Sequence, residues 1–211
     1  MKHPRRIYFG LTVLSVAITA VFLVLMPDTV PMHYDAAGVA DRFGSKYENL
    51  IFPLCTAGMA LLFTFLDKLQ QENRKALAYT GTGMLVFFNV LFAYMMWQSL
   101  RYDTSAATTD INRFIAIAMG LLLILLGRVM PGMRRNSMVG LRTPWSTAND
   151  TVWQKSQQFA GISASAAGLL LCLLGAVLND IIVVIAMLAV LLLWGAVCTA
   201  ASWYYYKREF S

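Results

Sequence analysis

Residues 181–203 read IIVVIAMLAVLLLWGAVCTAASW, a run without a charged side chain. A helix that crosses a hydrocarbon core of about 30 Å needs about 20 mostly apolar residues. This stretch is therefore long enough to span a membrane. Five earlier stretches qualify on the same grounds, and together they predict six spans at approximately 7–26, 50–66, 76–100, 114–130, 159–178 and 181–203.

The overall composition supports this interpretation. Of the 211 residues, 58% are hydrophobic and 13% are charged, and the mean hydropathy is +0.60. A soluble domain usually carries about 25% charged residues. The three cysteines lie inside apolar runs without metal-ligand spacing, which is typical of small apolar side chains. The predicted fold class is an all-α integral membrane protein with six transmembrane helices.

The distribution of basic residues predicts the orientation of the spans. If the N-terminus is cytoplasmic, only Arg42, Lys46, Arg101 and Arg113 face outward. The other 13 of the 17 basic residues then face the cytoplasm, namely Lys2, Arg5, Arg6, Lys68, Arg74, Lys75, Arg128, Arg134, Arg135, Arg142, Lys155, Lys207 and Arg208. This bias predicts that both termini are cytoplasmic. It also accounts for the net charge of +6 without direct nucleic-acid binding.

The predicted spans contain little that could carry transport chemistry. No ionisable side chain lies near the centre of a span, which disfavours an ion-coupled transporter. The most polar deep residue is Asn89, for which we predict a hydrogen bond between helices. Small residues in the fifth span predict close helix packing inside the bundle, in preference to a dimer interface: Ala160, Ala164 and Gly168, with Gly161 and Gly175 nearby.

Motifs of known enzyme classes are absent from the sequence. It has no HExxH, GxSxG, CxxC or P-loop motif, and only two histidines. We therefore predict a protein that is not an enzyme, with no catalytic residue, cofactor or metal. A membrane enzyme or an envelope-maintenance protein remains the alternative, acting through Asp28, His33 and Asp35. A metal site on His33 and nearby carboxylates, Asp41 included, is a weak signal, because such residues are common in solvated loops.

The loop between the first two spans, residues 27–49, is predicted to form a small cap. Residues 27–46 read PDTVPMHYDAAGVADRFGSK, and the two prolines disfavour a regular helix. Residues 29–34 and 39–43 are predicted to be extended, joined through 35–38 as a hairpin. The cap could be a binding surface or a structural lid. The candidate residues for outer binding are His33, Tyr34, Asp35, Asp41 and Arg42.

The loop between the fourth and fifth spans, residues 131–158, reads PGMRRNSMVGLRTPWSTANDTVWQKSQQ. Ser146 or Thr147 is predicted to cap a helix, with Thr147 and Asp150 at capping-box spacing. The fifth span then begins near residue 148 and places Trp153 near the lipid headgroups. The basic residues suit anionic membrane lipids, whereas the aromatic and amide residues suit a protein partner. The candidates for an inner partner are Asn136, Arg142, Pro144, Trp145, Asn149, Trp153 and Lys155.

These two loops resemble segments of a known family. The second loop carries Met130-Pro131, Asn136, GLRTPW at 140–145, Asn149, Trp153, Lys155 and Ala160-Gly161, and it resembles the defining segment of the SdpI-type bacterial immunity family. The first loop carries Pro27, Pro31, His33, Gly38, Asp41, Gly44 and Lys46, and it resembles the uncharacterised domain that often precedes that segment. Two positions depart from the pattern, since Arg128 stands where Asn is common and Gln157 where His is often found.

The resemblance implies a function and a set of partners. It implies a multi-pass protein of the bacterial cytoplasmic membrane that protects the cell from a secreted, membrane-active peptide toxin. The toxin would bind at the outer face or among the helices, and some family members also hold a transcriptional repressor at the membrane. Besides these two partners, membrane lipids are expected.

The chain is expected to divide into three parts. Residues 1–68 contain the first two spans with loop 27–49, and residues 69–112 contain the third span and its flanking loops. Residues 113–211 form an SdpI-like region with spans four to six and loop 131–158.

Overall fold

A computed structural model describes residues 4–36, 38–102 and 111–211. Its helices are α1 (Pro4–Leu25), α2 (Ile51–Leu69), α3 (Arg74–Leu100), α4 (Ile111–Val129), α5 (Asp150–Val177) and α6 (Asp180–Phe210). All six are long and apolar enough to cross a membrane, which confirms the predicted all-α fold with six spans. Lys2 and part of the predicted connection 35–38 lie outside the described residues.

The first turns of α5 are polar, and the helix begins well before the apolar run. We predicted this early start, and the structure confirms it, but the predicted cap is wrong. Asn149 is the N-cap, and its side-chain oxygen accepts a hydrogen bond from the backbone N–H of Val152 at 2.8 Å. The Ser146 hydroxyl is already engaged, because it accepts from the Thr143 N–H at 2.8 Å and donates to the Leu141 carbonyl at 2.8 Å.

The helices pack as two groups of three, α1–α3 and α4–α6, and α4 against α5 forms the most extensive contact. The groups meet mainly between α3 and α4. There the rings of Tyr94 and Phe114 stack with centroids 3.7 Å apart. We call the end that carries residues 26–50, 101–102 and 178–180 the hairpin end. The opposite end, which carries 67–75, 130–149 and 203–211, is the basic end.

Glycines allow α4 and α5 to approach each other closely. A Cβ atom added at Gly120 would lie 2.5 Å from the carbonyl oxygen of Gly168, and one added at Gly161 would lie 2.6 Å from that of Gly127. Each backbone therefore occupies space that a side chain would otherwise fill. The small residues of the fifth span serve packing within the bundle, as predicted.

The Asn89 side chain connects two helices, as predicted. Its amide donates to the carbonyl of Leu11 in α1 at 3.3 Å and to that of Leu85 in its own helix at 2.8 Å. Asn89 is buried, so these hydrogen bonds satisfy donors that cannot reach water.

Strands β1 (Thr29–Tyr34) and β2 (Ala40–Ser45) form an antiparallel hairpin between α1 and α2. The predicted hairpin is confirmed, although its second strand ends two residues later than predicted. The register pairs Thr29 with Ser45 and is irregular around His33. A 3₁₀ turn at Lys46–Leu50 then leads into α2, and Ser45 and Glu48 form a capping box at its start.

Candidate functional site

The hairpin is fixed to the helix bundle through β1. Val30 is fully buried and packs in one cluster with Met26 and Met96. The hydroxyl of Ser99, near the end of α3, donates to the Pro31 carbonyl at 3.1 Å. A buried apolar side chain and a buried hydrogen bond therefore hold the same strand, so the hairpin is a rigid cap.

The tip of the hairpin is held by local and distant hydrogen bonds. The Asp35 carboxylate accepts from the Val39 N–H at 2.9 Å, and Gly38 has φ +81°, a conformation that favours glycine. The Asn112 amide, at the start of α4, donates to the Ala36 carbonyl at 2.9 Å. The tip is thus tied to the second group of helices as well as to the first.

The exposed face of the hairpin carries polar side chains that are already paired. His33 Nδ1 lies 2.6 Å from Asp41 Oδ1, and Arg42 donates to Glu48 at 3.0 Å. Glu48 also accepts from the Ser45 N–H at 3.1 Å, which fixes the position of its carboxylate. These groups are exposed to water, so each pair contributes little to stability. The pairs do fix the arrangement of these side chains on the exposed face.

Tyr34 belongs to an aromatic cluster on the same hairpin. Its ring lies 6.4 Å from that of Tyr102, and Phe43 lies 5.6 Å from Tyr102, both edge to face. Burial raises the pKa of the Tyr34 phenol, and the nearby Ser99 hydroxyl offsets part of this rise. The phenol therefore stays neutral at physiological pH. The structure brings all five predicted outer residues together at the hairpin, with Tyr34 half-buried and the other four exposed.

The loop at the basic end is folded around a buried amide. Gln157 has no exposed surface, and its side chain makes two hydrogen bonds to one residue. Its oxygen accepts from the Leu141 N–H at 3.0 Å, and its nitrogen donates to the Leu141 carbonyl at 2.9 Å. The neighbouring Gly140 adopts φ +100° and lies against this side chain. Gln157 thereby fixes the segment that carries the GLRTPW motif.

A second amide ties the loop to the first helix group. The buried Asn73 side chain accepts from the Arg134 N–H at 2.7 Å and donates to the Arg134 carbonyl at 3.1 Å. The Asn136 side chain then accepts from the N–H groups of Met138 and Val139, which closes a local turn. The Asn136 side chain therefore makes its hydrogen bonds within the loop.

The prediction that the Trp153 ring faces the lipid headgroups is wrong, because the ring is buried within the protein. Its side chain is 1% exposed, and the indole N–H donates to the Met133 carbonyl at 2.8 Å. The loop folds back over the first turns of α5 and covers the ring, which a helix considered alone could not reveal. The buried Trp153 side chain therefore packs beneath the loop and holds it through the hydrogen bond to Met133.

The remaining predicted inner residues differ in accessibility. Arg142 and Pro144 are exposed, whereas Trp145 and Asn149 are half-buried, and Asn149 serves as the α5 cap. Lys155 is exposed and pairs with Glu209 near the end of α6 at 3.2 Å. The exposed part of the predicted set is thus a surface around Arg142 and Pro144.

Sequence reasoning missed Asn73, and it named Ser146 and Gln157 without identifying the hydrogen bonds by which they organise the basic end. It also missed Asp67, which is 3% exposed at the end of α2 and lies 3.2 Å from Arg74. The sequence carries only a weak signal for the roles of these four residues. Polar residues next to an apolar run are usually solvated, and these four differ from them in being buried, which the sequence does not show.

An apolar groove runs along the junction of α3 and α4. Its wider part has a volume of about 460 Å³ and its narrower part about 240 Å³, and they share Leu121 and Leu125. Phe87 and Val90 line one wall, and Arg128 lies at the basic end of the groove. This is a place where an apolar segment of another molecule could lie between the two helix groups.

Comparisons with known proteins agree with the resemblance of the two loops. Residues 132–202 match the SdpI/YfhL protein family, and residues 10–57 match a domain of unknown function, DUF1648. Immunity protein SdpI of Bacillus subtilis (strain 168) is 26% identical over 170 residues, which cover 80% of each chain. No solved structure gives a significant match. The predicted resemblance is therefore confirmed, and the chain is a multi-pass protein of the bacterial cytoplasmic membrane in which a segment similar to DUF1648 precedes a segment similar to the SdpI/YfhL family.

Proposed function

We propose that this chain is a membrane immunity protein that protects its cell from a secreted, membrane-active peptide toxin. The observation that carries the proposal is the similarity to Immunity protein SdpI, which extends over 80% of both chains and so includes more than one motif. It spans helices from both groups as well as the connecting loops. The proposal also requires a surface that a peptide can reach, and the hairpin offers one.

The hairpin suits peptide binding because it is held in place before a ligand arrives. Binding to a mobile loop loses affinity, since the loop must be ordered on association. Here Val30 and Ser99 hold the base of the hairpin, and Asn112 holds its tip. The exposed side chains of His33 and Arg42 and the half-buried ring of Tyr34 belong to one hairpin, a combination that can contact both polar and apolar parts of a peptide.

The groove between α3 and α4 extends the proposed site into the membrane. A membrane-active peptide presents apolar side chains, and those that line the groove are apolar for most of its length. In this arrangement the peptide's polar part would contact the hairpin. Its apolar part would lie against Phe87 and Leu121, which keeps it from assembling in the lipid.

Survival of a toxin-sensitive host tests the proposal. Expression of the intact chain should raise survival when the host is exposed to the toxin. Replacing Arg42 with Glu should reduce protection, because this change removes the ion pair with Glu48 and reverses a charge on the binding face. The matched control is Arg101→Glu at the same end, where the guanidinium group of Arg101 lies 5.3 Å from the centroid of the Trp97 ring. Unchanged killing despite normal amounts of inserted protein would contradict the proposal.

We propose a second role for the basic end, the recruitment of a cytosolic repressor. The supporting observation is that the GLRTPW segment is held rigidly from below by Gln157 and Trp153 while Arg142 and Pro144 remain exposed. A rigid basic surface can bind an acidic patch on a partner protein. For signalling, occupation of the hairpin would have to change this surface, which requires two states of the bundle.

Membrane recruitment of a tagged repressor tests this second role. Arg142→Glu should release the repressor into the cytosol while toxin protection persists. Arg6→Glu is the matched control, because Arg6 is an exposed arginine of α1 outside the loop. Equal retention of the repressor by the wild type and the Arg142→Glu variant would rule out this surface.

A further inference from the structure

A second cavity lies beneath the loop at the basic end. Its volume is about 350 Å³, within the range of small-molecule sites, and it is open on one side. Helices α3, α4 and α6 form its walls, and loop residues 139–142 form its rim. The walls are mainly apolar and include Leu77, Leu126, Met130, Leu141 and Trp194. A long apolar chain would find little polar surface inside it.

Arg142 lies at the rim of this cavity without a partner for its charge. Among the residues that the structure describes, no oxygen accepts a hydrogen bond from its guanidinium group. By contrast, Arg135 donates to Asp150 at 2.6 Å, and Arg74 lies 3.2 Å from Asp67. The cation beside the apolar cavity is thus available to an external anion. Guanidinium groups bind phosphate oxygens through two parallel hydrogen bonds.

The wall also contains a hydroxyl without a hydrogen bond. The Thr80 side-chain oxygen is buried and has no partner within the described part of the chain, and Thr80 lines the cavity. A helical threonine commonly donates to a carbonyl one turn earlier. This oxygen is covered by its neighbours, so an ester or carbonyl oxygen of a ligand would reach it only after the Thr80 side chain turns toward the cavity.

We propose that this cavity binds one acyl chain of an anionic phospholipid, with the lipid phosphate on Arg142 and an ester oxygen near Thr80. Three observations point to a phospholipid: an apolar cavity, a free cation at its rim, and a position where the helices end and the loop begins. In a spanning bundle that position is the depth at which lipid headgroups meet acyl chains. The bound lipid would hold the loop against the helices, and its phosphate would compete with an acidic partner protein for Arg142.

Quenching of Trp194 fluorescence by brominated acyl chains tests the proposal directly, because this indole lines the cavity. The full chain would be placed in phosphatidylcholine nanodiscs that contain brominated phosphatidylglycerol or brominated phosphatidylcholine. The difference between the wild type and Trp194→Phe isolates the Trp194 signal. We expect the anionic lipid to quench this signal at a mole fraction about fivefold lower, the factor that one basic residue contributes near an anionic surface.

Two arginine variants separate a site on Arg142 from general attraction to a basic surface. Arg142→Gln should remove the preference for the anionic lipid, and Arg142→Lys should keep part of it. Arg128→Gln should leave it unchanged, since Arg128 is an exposed arginine at the same end but outside this cavity. Equal quenching by the two lipids, or a preference that survives Arg142→Gln, would overturn the proposal.

Two further measurements address the ligand and the fold. Unbrominated oleate, an anionic chain without phosphate, should displace the brominated phospholipid less well than unbrominated phosphatidylglycerol does; equal displacement would overturn the phospholipid assignment. Native mass spectrometry of the purified protein does not depend on tryptophan. It should show phosphatidylglycerol retained by the wild type and by Arg128→Gln but lost from Arg142→Gln, and equal retention by all three would contradict the site.

Discussion

At the scale of single residues, the basic end depends on a few buried amides. Gln157 satisfies both backbone groups of Leu141, and Asn73 does the same for Arg134. Each side chain replaces the regular backbone pairing that an irregular segment lacks. This explains how a loop without helix or strand holds a fixed shape beside a membrane.

Replacing Gln157 with Leu should destabilise the protein. The change keeps the approximate size of the side chain but leaves the N–H of Leu141 without a partner, while the Leu141 carbonyl still accepts from the Ser146 hydroxyl. A buried unsatisfied group costs about 1–3 kcal/mol, so we expect a loss of about 1–3 kcal/mol in the free energy of unfolding. Thermal or denaturant unfolding of the purified protein measures this loss. Gln158→Leu is the control, since Gln158 is exposed on the same helix, and equal stability of the two variants would contradict the assigned role.

At the scale of elements, the close approach of α4 and α5 depends on glycine. Gly120→Ala would place a methyl group against the Gly168 carbonyl, and backbone atoms cannot move aside as a flexible side chain can. We expect a loss of about 1–3 kcal/mol in stability, the usual cost of overpacking. Gly195→Ala in α6 is the control, because nothing lies within 4 Å of its added Cβ atom. Equal stability of the two variants would contradict the close contact between α4 and α5 that the structure shows.

The hairpin is the second element whose attachment can be tested. Val30→Ala should loosen it, because Val30 is fully buried against Met26 and Met96. Removing buried methyl groups at such a site costs about 1–3 kcal/mol. Hydrogen exchange should therefore become faster across residues 29–45 and stay unchanged in α4 and α5. Val39→Ala, at an exposed position of the same loop, should leave exchange as it is.

The elements could be predicted from local patterns, whereas their contacts could not. Long apolar runs identified the six spans, and two prolines with two short extended stretches identified the hairpin, because both signals lie within a short stretch of chain. The α5 cap was predicted wrongly, since Ser146 and Asn149 are both suitable caps and only the fold of residues 141–146 decides between them. The burial of Trp153 also depends on distant contacts, so the sequence alone suggested an exposed ring at the headgroups.

At the scale of the whole molecule, the bundle separates two surfaces of different chemistry. The hairpin presents paired polar side chains and an aromatic ring, and the basic end presents Arg142 above an apolar cavity. The two helix groups meet along a limited contact between α3 and α4 with an apolar groove beside it. Movement of one group against the other is therefore the simplest route by which binding at the hairpin could alter the basic end.

Both proposed roles require the hairpin and the basic loop to lie on opposite sides of the membrane. Ala36→Cys and Ser137→Cys place single thiols at exposed positions of the two loops, in a chain whose three natural cysteines are replaced by alanine. A membrane-impermeant maleimide should label Ala36→Cys in intact cells. It should label Ser137→Cys only after the cells are permeabilised. Labelling of both thiols in intact cells, or of neither before permeabilisation, would place the loops in one compartment and contradict the account.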